Sequence, residues 1–381
     1  MKFVTLFPPT EDVHLKKDVG MVPYIMSKYY GYESCLVSYK NGDYPHINEM
    51  TGLNLRFIPR VTGNETVDSM LYIIRNAKKI DILHTFHTRR TPLLALYKFL
   101  NKNGISYLKL DADFRSIKKL HDKSKKRIDA EFFFFKTFLK FVDVVSAESE
   151  EIAQKFSKIM GIEVLRLPNG FYDWTEVKKI NALEKQNIIL TVGRLGTKEK
   201  ATECLVDAFV AARKLIPTWV LHLVGPCEKW FEQYVDKLMK EFPDLKDRIV
   251  LKGPINDIAA LNEEYKKAKV FCLPSRWESF GIVNVEALSL GCYLLLSDQI
   301  PPAREFTNNG EFGAVFPSDN KEALAELLIK VCASLENEES IFSKIQEYAF
   351  EKFYWPKICK TLNDQILKLK QERQEVHQKR Y

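Results

Sequence analysis

Two carboxylates separated by seven residues lie in the stretch PSRWESFGIVNVEALSLGC, residues 274–292. A buried strand is predicted to end at Pro274, Glu278 follows in a short loop, and Glu286 lies in the next helix. A carboxylate beside a phosphate would be repelled unless it accepts hydrogen bonds from hydroxyl groups, such as those of a ribose or a hexose. The pair therefore indicates binding of a ligand that carries both phosphate and sugar hydroxyls.

The start of that helix supplies the complementary charge. Gly281 lets the backbone approach a ligand closely, and the helix is predicted to begin near Ile282 and Val283. Ligands of open α/β sheets bind at the carboxyl ends of the strands. A helix N-terminus at that edge offers backbone N–H groups and a partial positive charge to an anion.

A second chemical element is TVGRLGTKEKATECLVDAF, residues 191–209. Arg194 follows a predicted strand, and a basic loop leads into a helix. Arginine binds phosphate with two parallel hydrogen bonds and lysine binds it as a point charge. Arg194 and Lys200 are therefore predicted to hold a diphosphate, and Lys198 is the rival of Lys200.

These two stretches resemble the retaining glycosyltransferases of family 4. The resemblance implies that Glu278 contacts the donor sugar near its anomeric carbon, that Glu286 holds the nucleotide ribose, and that Arg194 and Lys200 bind the phosphates. The sequence departs from the family pattern at Ala201, where a glycine is usual.

Weaker matches extend the resemblance over most of residues 142–365. LKGPIN, residues 251–256, resembles the segment whose backbone reads the base, so Pro254 is predicted to contact the donor. LRLPNGFYD, residues 165–173, resembles the hinge between the two domains of that family. FYWPKICKTL, residues 353–362, resembles the final helix, which in that family returns to the first domain.

The first 140 residues match the family only in the alternation of predicted strands and helices. Gly20 and Lys16 lie after the first predicted strand, where the family has a glycine-rich loop near the donor phosphates. The family often has a histidine near the transferred sugar, but the corresponding stretch here reads LKLDADFR. Asp111 and His87 are the two candidates for that contact.

The triplet Asp111-Ala112-Asp113 imitates the metal-binding Asp-x-Asp of a different glycosyltransferase fold. Two carboxylates could hold a divalent cation that bridges a diphosphate. The triplet lies outside the half that carries the nucleotide motifs. We therefore predict no metal and no other cofactor.

Strand-like runs alternate with helical stretches throughout, which predicts parallel sheets covered by helices on both faces. Two such series predict two doubly wound Rossmann-like α/β domains of the GT-B type, facing each other across a cleft. The predicted acceptor-binding domain is 1–171, joined by the final helix, 356–381. The predicted nucleotide-sugar-binding domain is 172–355.

Composition is consistent with a cytoplasmic enzyme. The chain has 381 residues, 46% of them hydrophobic, enough for two cores. No apolar run reaches the length of a membrane span and the N-terminus does not fit a signal peptide. The seven cysteines are scattered, with no pair at metal-binding spacing, as is usual in a reducing compartment.

The net charge of +7 comes from the first half of the chain. RSIKKLHDKSKKR, residues 115–127, precedes the phenylalanine-rich stretch EFFFFKTFLKFV, residues 131–142. A basic segment beside an aromatic helix is able to lie on an anionic membrane. The alternative is a helix whose Phe132, Phe135 and Leu139 pack on the sheet while its lysines are solvated. Both interpretations of 115–142 stay open.

The sequence thus predicts a retaining, metal-independent hexosyltransferase. Its donor is a nucleotide-diphosphate sugar, with UDP favoured, and its acceptor is a glycan or a lipid-linked glycan. Two alternatives are a catalytically silent subunit of the same fold and a nucleotide-sugar epimerase. No nucleic-acid partner is expected, because the acidic motif of the second half would have no role in binding one.

Overall fold

The computed structural model describes residues 1–126, 129–174 and 184–378. The chain divides into two compact units. The first unit contains Met1–Gly170 together with the chain from Trp355 onward. The second unit is Phe171–Tyr354.

The first unit is built on a parallel sheet with the strand order β3-β2-β1-β4-β5-β6-β7. Its strands are β1 (Lys2–Leu6), β2 (Glu33–Ser38), β3 (Leu53–Phe57), β4 (Ile82–Phe86), β5 (Ile105–Lys109), β6 (Val144–Ala147) and β7 (Leu165–Arg166). The central strands are buried on both faces, as expected for a parallel sheet. The helices of this part of the chain are α1 (Asp12–Leu15), α2 (Asp18–Tyr30), α3 (Glu65–Asn76), α4 (Thr91–Leu100), α5 (Phe114–Lys125), α6 (Ala130–Leu139) and α7 (Glu150–Met160).

The second unit repeats this plan with the strand order β10-β9-β8-β11-β12-β13, again parallel. Its strands are β8 (Gln186–Val192), β9 (Val220–Val224), β10 (Ile249–Gly253), β11 (Ala268–Leu273), β12 (Tyr293–Ser297) and β13 (Gly313–Phe316). Its helices are α8 (Thr202–Ala212), α9 (Lys229–Glu241), α10 (Ile258–Lys267), α11 (Ile282–Ser289), α12 (Ala303–Phe306), α13 (Lys321–Leu335) and α14 (Ser340–Lys352).

The final helix, α15 (Trp355–Gln378), packs in the first unit. The Tyr30 hydroxyl donates to the Pro356 carbonyl at 2.6 Å, and the Tyr32 hydroxyl donates to Asn363 Oδ1 at 2.9 Å. Arg373 reaches the Gly104 carbonyl at 3.0 Å. Hydrogen bonds along its length therefore hold α15 against the first unit.

In each sheet the strand order reverses at one point, between β1 and β4 and between β8 and β11. The loops that leave the carboxyl ends of these strands diverge to opposite faces and leave a crevice, which is where open α/β sheets bind ligands. The loops after β8 and β11 carry the two motifs singled out in the sequence. The loop after β4 carries His87.

The sequence predicted the buried strands but missed three others. β3 is an edge strand whose residues are mostly exposed, so it lacks the apolar run that marks a buried strand. β7 has two residues, too few for any periodicity. β13 has the short sequence GAVF, which begins with glycine and therefore gives only a weak strand pattern. Among the described residues, no helix combines the length and apolarity that crossing a membrane requires.

Candidate functional site

The loops after β8 and β11 bring Lys200 and Glu278 together. The Lys200 ammonium donates a hydrogen bond to Glu278 Oε1, which also accepts one from the Ser275 hydroxyl at 3.1 Å. The two charged side chains are 19% and 14% exposed, so their attraction is only partly screened by water. Two residues 78 positions apart in sequence thus form one partly buried ion pair at the strand-order reversal.

The same loop places its other basic residues nearer to solvent. Arg194 is exposed and pairs with Glu199. The Lys198 side chain is exposed, and its carbonyl accepts from Arg276 at 2.7 Å. Of the two rival lysines, Lys200 is the one that the structure brings to Glu278.

Arg276 fastens the two loops to each other and was not found by sequence reasoning. Its guanidinium donates to Glu203 Oε1 and Asp319 Oδ1, both at 2.7 Å, and its backbone N–H donates to the Glu199 carbonyl at 2.8 Å. An arginine that bonds three segments fixes the geometry of the loops that hold Lys200 and Glu278. The only signal in the sequence was its position two residues before Glu278.

Helix α11 begins directly after Gly281. Gly281 has φ 78°, and a Cβ there would lie 2.7 Å from the Asn284 side-chain nitrogen, so a larger residue is excluded. Ile282 and Val283 form the first turn, which contains no acidic residue, and no side chain caps the helix. The N-terminus therefore keeps its positive partial charge available to an anion.

Asn284 lies in the same turn and was also missed in the sequence. Its side chain is completely buried, yet its amide oxygen and nitrogen have no hydrogen-bond partner among the described residues. Burial of unsatisfied polar atoms costs free energy, so such groups are rare in native proteins. The amide is an available donor and acceptor at the start of α11.

Glu286 and Pro254 occupy different surroundings. Glu286 is half-buried in α11 and accepts a hydrogen bond from the Tyr265 hydroxyl at 3.1 Å. Burial, and then the charge of Glu286, raise the pKa of Tyr265 far above its ordinary value, so the phenol stays a donor. Pro254 is exposed after β10, the edge strand that β9 separates from β8.

In the first unit, His87 and Asp111 lie at the carboxyl ends of the neighbouring strands β4 and β5. His87 Nδ1 is 3.9 Å from Asp111 Oδ2, and both side chains are substantially exposed. Both backbones adopt positive φ, 64° and 47°, which non-glycine residues adopt at a cost. The structure thus brings together the two alternatives that the sequence offered for a sugar contact.

Beneath them lies a buried charged network centred on Lys109. Its ammonium donates to Asn169 Oδ1 at 2.7 Å and to the Leu167 carbonyl at 3.1 Å. It also lies 3.7 Å from Glu148 and 3.8 Å from Asp18. The lysine side chain has no exposed surface, so these partners replace its water shell.

Burial raises the pKa values of two carboxyl groups in this network. Burial raises the pKa of Glu148 to about 7, although the Lys109 charge opposes the shift. Burial likewise raises the pKa of Asp18. Glu148 Oε1 accepts a hydrogen bond from the Asp111 backbone at 3.1 Å, so the network supports the strained residue above it. Nothing in the sequence marked these three residues, because they come from distant segments.

Two predicted contacts of the first unit, Lys16 and Gly20, have structural neighbours in the fold. The stretch expected to form a loop near phosphate folds into α1 and α2. Lys16 pairs with Glu49 at 2.5 Å. Gly20 is buried inside α2, where a Cβ would lie 2.3 Å from the Leu15 carbonyl oxygen. The glycine is therefore explained by helix packing.

Asp113 also has a structural role. It caps α5, accepting a hydrogen bond from the Ser116 N–H at 2.7 Å, and it pairs with Arg115. Its carboxylate is thereby directed to its own helix and not to Asp111. In the part of the chain that the structure describes, no group of three or more His, Cys, Asp or Glu side chains is arranged to hold a metal ion.

Part of the chain resembles a known protein family. Residues 173–348, within the second unit, match the family model described as glycosyl transferases group 1. The poly(glycerol-phosphate) alpha-glucosyltransferase of Bacillus subtilis is 28% identical over 229 residues, which are 59% of this chain and 30% of that protein. The phosphatidyl-myo-inositol mannosyltransferase of Mycobacterium tuberculosis is 25% identical over 279 residues, 71% of this chain and 62% of that protein. The chain spans less than two thirds of the length of either relative.

Solved structures resemble the chain over nearly its whole length. The HepE protein of Anabaena in complex with UDP has a TM-score of 0.73 at 16% identity, covering 97% of this chain and 100% of that one. Sucrose-phosphate synthase from Thermosynechococcus elongatus has a TM-score of 0.71 at 17% identity, covering 97% and 99%. These likenesses confirm the predicted fold class, two doubly wound α/β units of the GT-B type. The family match itself concerns residues 173–348 of the second unit.

Proposed function

We propose that this protein is a retaining glycosyltransferase that transfers a hexosyl or N-acetylhexosaminyl group from a nucleotide-diphosphate sugar, UDP in particular. The observation that carries the proposal is the Lys200–Glu278 pair at the strand-order reversal of the second unit. A basic group that stabilises a phosphate and a carboxylate that orients sugar hydroxyls are placed side by side. The family match over residues 173–348 and the UDP-bound structural neighbour support the same donor class.

In the proposed reaction the bond between the anomeric carbon and the diphosphate oxygen breaks. The acceptor oxygen forms its new bond to that carbon on the face the diphosphate leaves, and the acceptor proton passes to the released diphosphate. Lys200, Arg194 and the start of α11 stabilise the charge that develops on the leaving group. These groups make the proposed transfer independent of a metal ion.

The carboxylates have separate roles in this scheme. Glu278 accepts hydrogen bonds from the donor sugar, and Glu286 accepts them from the ribose. Tyr265 holds one Glu286 oxygen at 3.1 Å, which restricts the rotation of that carboxylate before the donor binds. Asp111 and His87 are the proposed first-unit contacts to the transferred sugar or the acceptor.

The acceptor is proposed to be a glycan or a lipid-linked glycan, with the enzyme in the cytoplasm at the inner face of the membrane. On α6, Leu139 is buried and Phe132 and Phe135 pack against the core, as the helix-packing alternative predicted. Phe133 and Phe141 are 68% and 47% exposed. Phe133 on α6 and Phe141 just after it support peripheral contact of this segment with a lipid surface. Residues 127–128 of the predicted 115–142 segment lie outside the described residues.

Calorimetric titration of UDP, and then GDP, in the presence of EDTA tests the proposal. We expect one nucleotide to bind wild-type protein and not Glu286→Ala, while Glu263→Ala, an exposed carboxylate on α10, binds it normally. Binding that requires manganese would overturn metal independence. Absence of binding under every condition would favour the silent-subunit alternative. Conversion of the donor sugar without an acceptor would favour the epimerase.

A further inference from the structure

A cavity of about 900 Å³ lies in the first unit, outside the site proposed for the donor. It extends from the loop after β4 and the start of α4 to α5 and α6. His87 and Asp111, the proposed sugar contacts, line part of its wall. Its volume is in the range of sites that enclose small organic ligands, roughly 300–1,000 Å³.

One part of the wall is cationic. Arg90 pairs with Glu65 and Lys123 pairs with Glu131, so these four charges compensate each other. Arg89 and Lys119 also line the cavity, and neither has an ion-pair partner within the described residues. Asp111, the third carboxylate of the wall, lies near His87. Four Lys and Arg side chains against three carboxylates leave the wall with a net charge of +1.

The start of α4 adds to this positive character. Helices α3, α5 and α6 are each capped by a side chain, from Asn64, Asp113 and Asp129 respectively. Helix α4 has no side-chain cap and no acidic residue in its first turn, and its Thr91 and Pro92 line the cavity. The Thr91 N–H already donates to the Thr88 carbonyl and Pro92 has no N–H, so the start of α4 contributes a partial positive charge beside Arg89 and no direct bond from these two residues.

The opposite part of the wall is aromatic. Phe132, Phe134, Phe135 and Phe138 of α6 contribute to it. Phe134 is 59% exposed, which leaves a large apolar surface in contact with water. Covering such a surface with hydrocarbon is favourable by about 25 cal/mol per Å². A ligand made only of phosphate and polyol would leave this surface uncovered.

We propose that this cavity binds an acceptor that carries a phosphate group on a hydrocarbon chain. The phosphate binds Arg89 and Lys119 beside the start of α4, and the chain lies along the phenylalanines of α6. The acceptor hydroxyl is then directed toward His87 and Asp111. This inference rests on the proposed function, because it names the class of acceptor for the proposed transfer.

Calorimetry with decyl phosphate below its micelle concentration tests the inference, with decyl glucoside and glycerol 1-phosphate as probes that carry only the chain or only the phosphate. We expect decyl phosphate to bind at least about tenfold more tightly than either probe, because only it satisfies both parts of the wall. Equal binding of decyl glucoside would mean an apolar site only. Equal binding of glycerol 1-phosphate would mean a free-phosphate site. Either result overturns the inference.

Matched variants locate the binding. Arg89→Gln with Lys119→Gln should weaken decyl phosphate about tenfold or more, whereas Lys118→Gln, the exposed neighbour on α5 outside the cavity, should not. Phe134→Ser should weaken it severalfold, and Phe133→Ser, exposed but outside the cavity, should not. Equal losses in the control variants would overturn the inference.

Titration of UDP into the same proteins separates this inference from the proposed function. Thermal unfolding followed by circular dichroism shows that the first unit of each variant is folded, and we expect nucleotide binding in the second unit to persist in every variant. If wild type binds UDP but not decyl phosphate, only the acceptor inference fails. If it binds decyl phosphate but no nucleotide, the cavity stands and the proposed function fails.

Discussion

The carboxyl ends of the two sheets carry charged residues in contrasting ways. In the second unit, Lys200 and Glu278 come from loops beside the strand-order reversal and remain partly exposed. In the first unit, Lys109 is completely buried beneath Asp111. The comparison teaches that one charged pair stays accessible to solvent at the edge of its sheet, whereas the other cluster is enclosed and bonds the backbone of the residue above it.

Loss of Lys200 is expected to have the largest effect. If the lysine stabilises the leaving diphosphate, Lys200→Ala should lower kcat by roughly 10²–10³-fold, as removal of one electrostatic stabiliser does in other enzymes. Lys198→Ala, an exposed neighbour, should change kcat by less than about threefold. Glycosyl transfer from a labelled donor measures both. Equal losses would show that the loop acts only through its overall charge.

Loss of Lys109 should lower the stability of the first unit. Lys109→Met leaves Glu148 and Asp18 without their cation, and breaking a buried ion pair costs about 3–5 kcal/mol. The control Lys102→Met replaces an exposed lysine and should be nearly neutral. Urea unfolding compares them. A neutral effect of Lys109→Met would contradict the view that the network holds the first unit together.

Glu148 should make the stability of the first unit depend on pH. Because burial raises the pKa of Glu148 from 4.5 to about 7, the folded state binds this proton more tightly than the unfolded state does. The stability it contributes is complete below about pH 4.5 and is lost as the pH rises to about 7.

The matching substitution is Glu148→Gln, which has no proton to lose. The free energy of unfolding of this variant, relative to that of wild type, should increase between about pH 4.5 and 7 by at most roughly 3 kcal/mol, since one pKa unit corresponds to about 1.4 kcal/mol. Asp18, Asp111 and Lys109 face the same group, and Asp18 shifts stability in the same direction. Thermal unfolding at several pH values measures the difference. A constant difference across this range would refute the assignment.

Substitution of Ala201 is expected to have the smallest effect, and it acts on the stability of the second unit. It precedes α8 with φ 48°, a left-handed conformation that costs a non-glycine residue about 1–2 kcal/mol. Ala201→Gly should therefore stabilise the second unit by about 0.5–1 kcal/mol after the added freedom of the unfolded chain is subtracted. Ala208→Gly, inside α8, should destabilise it by about 1 kcal/mol. Chemical unfolding that shows the same sign for both would contradict this account.

The second unit was the more predictable from sequence. Its site residues occupy two continuous stretches, each with a strand, a loop and a helix, so spacing along the chain reports position in space. Even there the sequence pattern did not indicate Arg276 or Asn284. The bonds of Arg276 join residues as far apart as Lys198 and Asp319, and the burial of Asn284 depends on its packing.

The sequence by itself determined the strand–helix alternation, the buried strands and the candidate pair Glu278 and Lys200, because local periodicity and short motifs encode them. Only the tertiary structure decided that Lys109, Glu148 and Asp18 meet, and that Arg89 and Lys119 share a cavity with the phenylalanines of α6. Such groupings join segments far apart in the chain. Their interaction depends on distance and burial, and neither is defined until the sheets have formed.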